Sequence, residues 1–375
     1  MTTLSNEQDR MLDLLLSRTN GLSFGGYAGT GKTTVLAEAA RMDPSIIFAA
    51  PTNKAASVLR SKMPAGSDVR TFHALTQKPV LDDKSRLTGF EEVGALPKGT
   101  HVIVDEASMI GTKVMSIAKS ALANATVNLV GDPAQLPPVN DLPVFRGSSL
   151  TMILKEVYRQ GEGSRVLELA TRIREQSAFH DHWLDELGIE RETAVKLKKN
   201  PEVMADIFYG YAQFLCFTNQ QRRNMNKAVR KGVGRVTAAP DVDDVIMFYA
   251  RESCLGEPRW NNGSTALITS INESLNGAHN VEVEIDGGSW AEEVTLYDGI
   301  LDAEQPSSAI YELPDHLRAS FACASYAYAL TVHKSQGSEW DKVYLQGNRR
   351  PQGPDGIRWL YTGITRAAKE LVWVE

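Results

Sequence analysis

Short apolar runs that stop abruptly at small or polar residues recur through the N-terminal part of the chain. Leu22-Ser23-Phe24 stops at Gly25-Gly26, and Ile46-Ile47-Phe48-Ala49-Ala50 at Pro51-Thr52-Asn53. Val102-Ile103-Val104 runs into Asp105-Glu106, and Val127-Asn128-Leu129-Val130 into Gly131-Asp132-Pro133. Continuous apolar runs of this length suit strands covered on both faces. Between them lie stretches with helical spacing. Ser5 to Leu16 carries Met11, Leu12, Leu15 and Leu16 on one side, and Thr34 to Ala40 follows the first strand. This alternation predicts a doubly wound parallel α/β sheet with polar residues at the C-terminal ends of its strands.

The pattern breaks between Thr76 and Gly99. Gln77 to Leu81 and Leu87 to Val93 predict a short inserted hairpin. A second α/β set begins near Gln213-Phe214-Leu215-Cys216-Phe217. It continues with Tyr326 to Leu330, Val343-Tyr344-Leu345 and Leu371 to Val374. From Asn261 to Ser320 the pattern alternates instead, as in Val281-Glu282-Val283-Glu284-Ile285, with a turn at Gly287-Gly288. That predicts a small antiparallel sheet or barrel.

Composition changes this picture little. A chain of 375 residues is long enough for two or three domains. Its hydrophobic fraction of 42% is that of a globular protein, and no apolar run is long enough to cross a bilayer. The start, Met1 to Glu7, has neither a basic nor an apolar leader segment, and Cys216, Cys254 and Cys323 are widely spaced. A cytoplasmic location without a zinc site or disulfide framework is expected. A formal charge of −6 argues mildly against a nucleic-acid binder. Arg222, Arg223, Lys227, Arg230, Lys231 and Arg235 nevertheless form a basic run, read here as the solvated face of a helix (Arg223, Lys227, Lys231).

The candidate chemistry starts at Gly26-Tyr27-Ala28-Gly29-Thr30-Gly31-Lys32-Thr33, followed by Thr34. It fits G-x-x-x-x-G-K-[ST], between a strand and a helix. Glycines let backbone N–H groups close around a polyphosphate. Lys32 can reach the β- and γ-phosphates, and the Thr33 hydroxyl can ligate Mg²⁺. The chain is therefore expected to bind a nucleoside triphosphate. Asp105, ending a strand, suits a metal ligand, and Glu106 beside it can orient and deprotonate a water. Gln135 ends the neighbouring strand, where an amide can sense the γ-phosphate. Gln8 has two readings: the partner of Ser5 in an S-x-x-Q capping box, or a contact to the adenine edge. Arg159 and Arg366 are candidates for the arginines that a phosphoryl-transfer site needs beyond one lysine and one metal.

Together these stretches resemble a family. Gln8, the P-loop, Ala50 to Ala56, Thr71-Phe72-His73, Val104 to Met109, Gly131 to Val139, Tyr158-Arg159-Gln160, Thr331 to Glu339 and Tyr361 to Ala367 stand in the order seen in superfamily 1 helicases. The wording of the last four is similar to the RecD/Dda-type branch, superfamily 1B, and the compact size to the phage Dda helicases.

The resemblance implies two RecA-like domains, residues 1–75 with 100–157 and 158–259 with 321–375. It also implies a pin at 76–99 and an SH3-like insertion at 260–320. ATP and Mg²⁺ would lie between the domains. Gln8, Gly29, Thr30, Gly31, Lys32, Thr33, Thr34 and Gly337 would hold the nucleotide, and Thr33 and Asp105 the metal. Lys32, Glu106, Gln135, Arg159 and Arg366 would act in catalysis. Thr52, Asn53, Lys54, Phe72 and His73 would grip single-stranded DNA on the first domain, and Thr331, His333 and Lys334 on the second.

Phe90 is read either as the wedge of the pin or as packing for it, and Phe72 either as a stacking ring or as core. The implied activity is 5′→3′ unwinding by a monomer acting on single-stranded and forked DNA. Single-strand-binding or replication proteins would be partners, inside a bacterium or a phage-infected cell. The alternatives are a translocase that unwinds poorly and a nucleotide-gated recruitment module. The insertion is shorter than in the larger phage relative, and Asn53 stands where some relatives have histidine.

Overall fold

The computed structural model describes residues 4–81, 87–158, 164–249, 263–285, 291–318 and 320–375. The chain divides into two compact units, Met1–Val80 with Phe90–Leu167, and Leu81–Gly89 with Glu168–Glu375.

The first eight strands are β1 (Ser23–Gly26), β2 (Ile47–Ala50), β3 (Asp68–Thr71), β4 (Gln77–Leu81), β5 (Leu87–Glu92), β6 (His101–Val104), β7 (Thr126–Gly131) and β8 (Met152–Leu154). Six of them form a parallel sheet in the order β3-β2-β6-β7-β1-β8, while β4 and β5 pair separately as the inserted hairpin. The pleat explains why the sequence shows apolar runs rather than alternation. Phe48 and Ile103 face one core with Phe24, Val35, Leu36 and Met11, whereas Ala49, Val102 and Val104 face a second core with Phe72 and Leu75. Both faces are covered, so nearly every position is apolar; the buried exceptions His101 and Asn128 hydrogen-bond each other at 3.1 Å.

The second unit adds β9 (Glu190–Glu192), β10 (Gln213–Cys216), β11 (Val245–Phe248), β12 (Thr265–Leu275), β13 (Ala278–Ile285), β14 (Ala291–Tyr297), β15 (Ala324–Tyr326), β16 (Ala329–Thr331), β17 (Trp340–Gln346) and β18 (Ala367–Val374). A parallel sheet has the order β16-β10-β17-β18-β9, and an antiparallel one the order β14-β13-β12-β11-β15. The antiparallel sheet therefore starts before residue 260 and closes after residue 320, since β11 and β15 are its inner and edge strands.

The expected strand Tyr326 to Leu330 is in fact two. Tyr326 pairs antiparallel with Ile246, and Ala329 pairs parallel with Phe214. Asn226 staples this crossing: its Nδ2 donates to the Tyr326 carbonyl at 2.7 Å, and its Oδ1 accepts from the Ala329 N–H at 2.7 Å. Asn226 lies on the helix Asn219–Gly232 in a row with Arg222 and Arg230, which are only 2% and 3% exposed. The basic run is thus half buried framework and half solvated face.

Candidate nucleotide and nucleic-acid site

In the first unit the sequence-predicted residues converge on one edge, the C-terminal end of the parallel sheet. From β1 the chain enters the phosphate loop, and Gly31, in the left-handed region at φ 79°, is the N-cap of the helix Lys32–Met42. A Cβ on Gly31 would collide with Gln8 Nε2, and one on Gly26 would lie 2.6 Å from Lys32 Cγ, so both glycines keep room for the loop's own side chains. Lys32 Nζ donates to the Gly26 carbonyl at 2.6 Å and to the Tyr27 carbonyl at 3.2 Å.

Gln8 closes the loop from behind. Its Oε1 accepts from the Ser5 N–H at 3.0 Å, forming the expected capping box, and its Nε2 donates to the Thr30 carbonyl at 3.0 Å. The cap therefore exists, and the same amide braces the phosphate loop.

From β6 come Asp105 and Glu106. Asp105 is buried, and desolvation together with the neighbouring Glu106 charge pushes its carboxyl up to about 7. Glu106 adopts a left-handed backbone, φ 50° and ψ 35°, and its N–H donates to Asp105 Oδ1 at 2.9 Å. That conformation is costly for a residue with a Cβ, and such strain clusters at functional positions. Among the described residues, Glu106 Oε2, Ser108 Oγ and, from the loop after β7, Gln135 Oε1 are buried without a hydrogen-bond partner. Buried polar atoms are nearly always satisfied. Ser108 is a further candidate that the sequence pattern does not single out, because a serine after an acidic pair carries no distinctive signal.

These residues fit a nucleoside triphosphate with a divalent cation. The loop suits polyphosphate, the desolvated Asp105 carboxyl favours a cation beside it, and Glu106 and Gln135 have acceptor capacity to spare. Among the described residues no trio of His, Cys, Asp or Glu builds a closed metal cage. An ion using few protein ligands, as Mg²⁺ does, suits such a site.

The same edge carries the other first-unit candidates. Thr52 caps the helix Asn53–Lys62, accepting from the Ala55 N–H at 3.1 Å, so Asn53 and Lys54 open that helix at the end of β2. After β3, Thr71 caps the short helix Phe72–Thr76. His73 is exposed there, but Phe72 is completely buried against Ala49, Val102 and Val104. The core reading of Phe72 holds, and the stacking role is corrected: a ring with no exposed surface offers no face to a base. Phe90 lies in β5, and its side chain falls outside what is described; Arg159 lies outside the described residues altogether.

The second unit separates its candidates. Thr331 ends β16 level with Cys216, at the C-terminal edge of that sheet, with His333 and Lys334 following. Burial holds the His333 and Lys334 side chains below their ordinary pKa values. Lys334 Nζ lies 4.8 Å from the centre of the Tyr249 ring. Arg366 instead stands at the start of β18, where its carbonyl accepts from the Trp340 N–H, at the opposite edge. It is buried, donating to the carbonyls of Thr362 (3.1 Å) and Ser338 (3.0 Å) and to Thr365 Oγ1 (3.3 Å). Gly337, at φ 76°, belongs to the same turn region.

A P-loop on a parallel sheet, with an acidic pair on a strand near it, defines the class. The family described as an AAA domain matches residues 3–192, just over half of the chain, and the chain belongs to it. A UvrD-like helicase C-terminal domain matches residues 326–374.

The chain is similar to helicases of the RecD and Pif1 type. It is 26% identical to the RecBCD enzyme subunit RecD of Mycolicibacterium smegmatis, over 91% of this chain and 66% of that one. It is 27% identical to the ATP-dependent RecD2 DNA helicase of Deinococcus radiodurans, over 97% of this chain and 48% of that one. It is 25% identical to the ATP-dependent DNA helicase Pif1 of Bdellovibrio bacteriovorus, over 91% and 81%. The chain thus spans about half to two-thirds of the length of the first two relatives.

Its fold is that of the Pif1 helicases. It matches a Pif1 structure describing unwinding at forked double-stranded DNA with a TM-score of 0.62 at 16% identity, covering 100% of this chain and 92% of that one. Bacteroides Pif1 bound to single-stranded DNA gives 0.59 at 18% identity, over 100% and 92%. These relatives do not single out the phage Dda helicases. Among the described residues no helix is long and apolar enough to cross a membrane.

Proposed function

We propose that this chain is an ATP-dependent DNA helicase that moves 5′→3′ along single-stranded DNA and separates duplex strands. The observation that carries the reading is the single edge of the first sheet, on which the phosphate loop, Asp105-Glu106 and Gln135 stand beside Thr52, Asn53 and Lys54. A strand held at one end of that edge would feel any change at the phosphate end.

Gly29, Thr30, Gly31, Lys32, Thr33 and Thr34 would cradle the triphosphate, with Gln8 using its remaining hydrogen-bonding capacity on adenine and Gly337 as a further nucleotide contact. Magnesium, held by Thr33 and Asp105, would neutralise charge on the phosphate oxygens. Glu106 Oε2 would accept a proton from the attacking water while Gln135 Oε1 fixes that water's orientation. Lys32, with Arg366 and Arg159 as further cations, would stabilise charge on the transferred phosphoryl group. Thr52, Asn53, Lys54, His73, Thr331, His333 and Lys334 would contact the DNA backbone, as sequence-independent binding requires. Phe90 on the hairpin would meet the terminal base pair. The protein would act as a monomer in the cytoplasm, alongside single-strand-binding or replication proteins.

The test is unwinding of matched duplexes carrying a 5′ or a 3′ single-stranded tail, with ATP turnover measured in parallel. The 5′-tailed duplex should open, single-stranded DNA should accelerate hydrolysis, and Lys32→Ala should abolish both. Turnover indifferent to DNA would sink the motor reading, and a preference for the 3′ tail would reverse the polarity. A second reading, a translocase with weak unwinding, is favoured by the shortness of β4 and β5, five and six residues. It predicts DNA-stimulated turnover with little strand separation on either substrate.

A further inference from the structure

The basic run that the proposed function leaves unused lines a cavity of about 380 Å³ in the second unit. Arg222, Arg223, Lys227, Arg230, Lys231 and Arg235 all contribute to it. Among the described residues three carboxylates answer these six cations. Asp302 pairs with Arg223 at 2.9 Å and Lys227 at 2.8 Å, while Asp241 and Asp244 take Arg230 and Arg235. The local balance is therefore about three positive charges in excess, in a chain whose overall charge is −6.

Arg222 has no carboxylate partner among the described residues. Its guanidinium rests on Ser325 Oγ (2.8 Å) and the Ala303 and Glu304 carbonyls (3.3 and 2.9 Å), and its buried Nε–H has no acceptor among the described residues. A buried, uncompensated guanidinium is costly unless an anion offsets it. Lys227 and Lys231 stand on the solvated row of the same helix, exposed enough for a ligand from solution to reach them.

We propose that this cavity is a second phosphate-binding site, separate in chemistry from the P-loop. The P-loop would grip phosphate with backbone N–H groups and one lysine; here the exposed Lys227 and Lys231 ammoniums, with the part-exposed Arg223 beside them, would do the work. The cationic row open to solvent runs from Arg223 through Lys227 to Lys231, a rise of roughly 12 Å at 1.5 Å per residue, with Arg222 and Arg230 buried behind it. A row of that length suits several linked phosphates better than one. Such a ligand is either a free polyphosphate or the phosphodiester backbone of a nucleic acid.

The full chain carrying Lys32→Ala, which weakens the P-loop, is titrated calorimetrically with sodium tripolyphosphate. In parallel, the otherwise wild-type chain is titrated with a fluorescent oligodeoxythymidylate over a range of salt. Each is compared with its Lys227→Gln/Lys231→Gln derivative. A free-polyphosphate site loses tripolyphosphate affinity by about tenfold or more, since charge-assisted hydrogen bonds are lost. A backbone site instead lowers the slope of log K against log salt by about 1.4, two contacts at roughly 0.7 each. Lys227→Arg/Lys231→Arg keeps the charge and should retain binding. Lys196→Gln/Lys198→Gln, on exposed positions elsewhere in the unit, should change nothing. The proposal is overturned if the glutamine pair alters neither measurement, if the arginine pair loses binding equally, or if the distant control pair has the same effect.

Discussion

Two buried aspartates, one in each unit, show how differently the same side chain is used. Asp244 is completely buried and fully answered: Arg230 and Arg235 pair with it at 3.0 and 2.8 Å, Tyr328 Oη donates at 2.6 Å and the Asp241 N–H at 2.7 Å. Asp105 is also buried, yet among the described residues its carboxylate accepts a hydrogen bond only from the adjacent Glu106 N–H, and a second carboxylate stands beside it. The first arrangement ties the helix Asn219–Gly232 to the loop before β11 and stabilises a fold. The second leaves a carboxyl group in want of a cation, which is a poor way to stabilise a fold and a good way to hold a metal. Satisfaction of the buried charge, more than burial itself, separates framework from chemistry.

The sharpest way to break that contrast is Glu106→Gln beside Asp105. Turnover should fall by about 10²–10⁴-fold, the range for removing a general base, while nucleotide binding and unfolding midpoint stay close to wild type. A stability loss without a turnover loss would make the acidic pair structural.

Asp244→Ala should do the reverse. Leaving buried Arg230 and part-buried Arg235 with only the half-exposed Asp241 as a carboxylate partner should cost about 3–5 kcal/mol, read as a lowered denaturation midpoint of the second unit.

A smaller effect, opposite in sign, is expected at Asp105. Its folded-state pKa, about 7, lies above the ordinary 3.8, so between those values the folded chain binds a proton that the unfolded chain has lost. This contribution to stability is complete below about pH 4 and is lost as pH rises through 7. Asp105→Asn removes it. The variant should gain at least about 1 kcal/mol over wild type at pH 8, with little difference near pH 4, in denaturant titrations at both. An Asn variant that is less stable at high pH would mean that Asp105 is satisfied like Asp244.

The smallest effect is expected at the loop's brace. Ser5→Ala removes the cap on the helix Asn6–Leu16, where Ser5 Oγ accepts from the Gln8 N–H at 3.3 Å. It should cost about 0.5–2 kcal/mol by thermal or chemical unfolding. KM for ATP should stay close to wild type, because the Gln8 side chain keeps both of its anchors, the Ser5 backbone N–H and the Thr30 carbonyl.

Much of the first unit was legible in the chain itself. Strands covered on both faces must be apolar nearly throughout, and a phosphate loop needs its glycines at set positions, so β1, β2, β6 and β7 and the residues at their ends could be named from order alone. The short edge strands β3, β8 and β9 could not. Asp68–Thr71 and Glu190–Glu192 are charged or half exposed, and only a neighbouring strand makes them part of a sheet. The run from Tyr326 to Leu330 was apolar enough to be recognised as strand but carried no sign of serving two sheets; the Asn226 staple decides that.

Local spacing and residue type thus determined the class of fold, the phosphate loop with its acidic partner strand, and the cap at Ser5. Burial and partnership were decided by tertiary structure alone. Phe72 became core, Arg222 and Arg230 went inside while Lys231 stayed out, and Asp105 was left unanswered where Asp244 was not. The reason is physical: periodicity records which way a side chain points along its own element, whereas desolvation and hydrogen bonding depend on what distant segments bring to meet it.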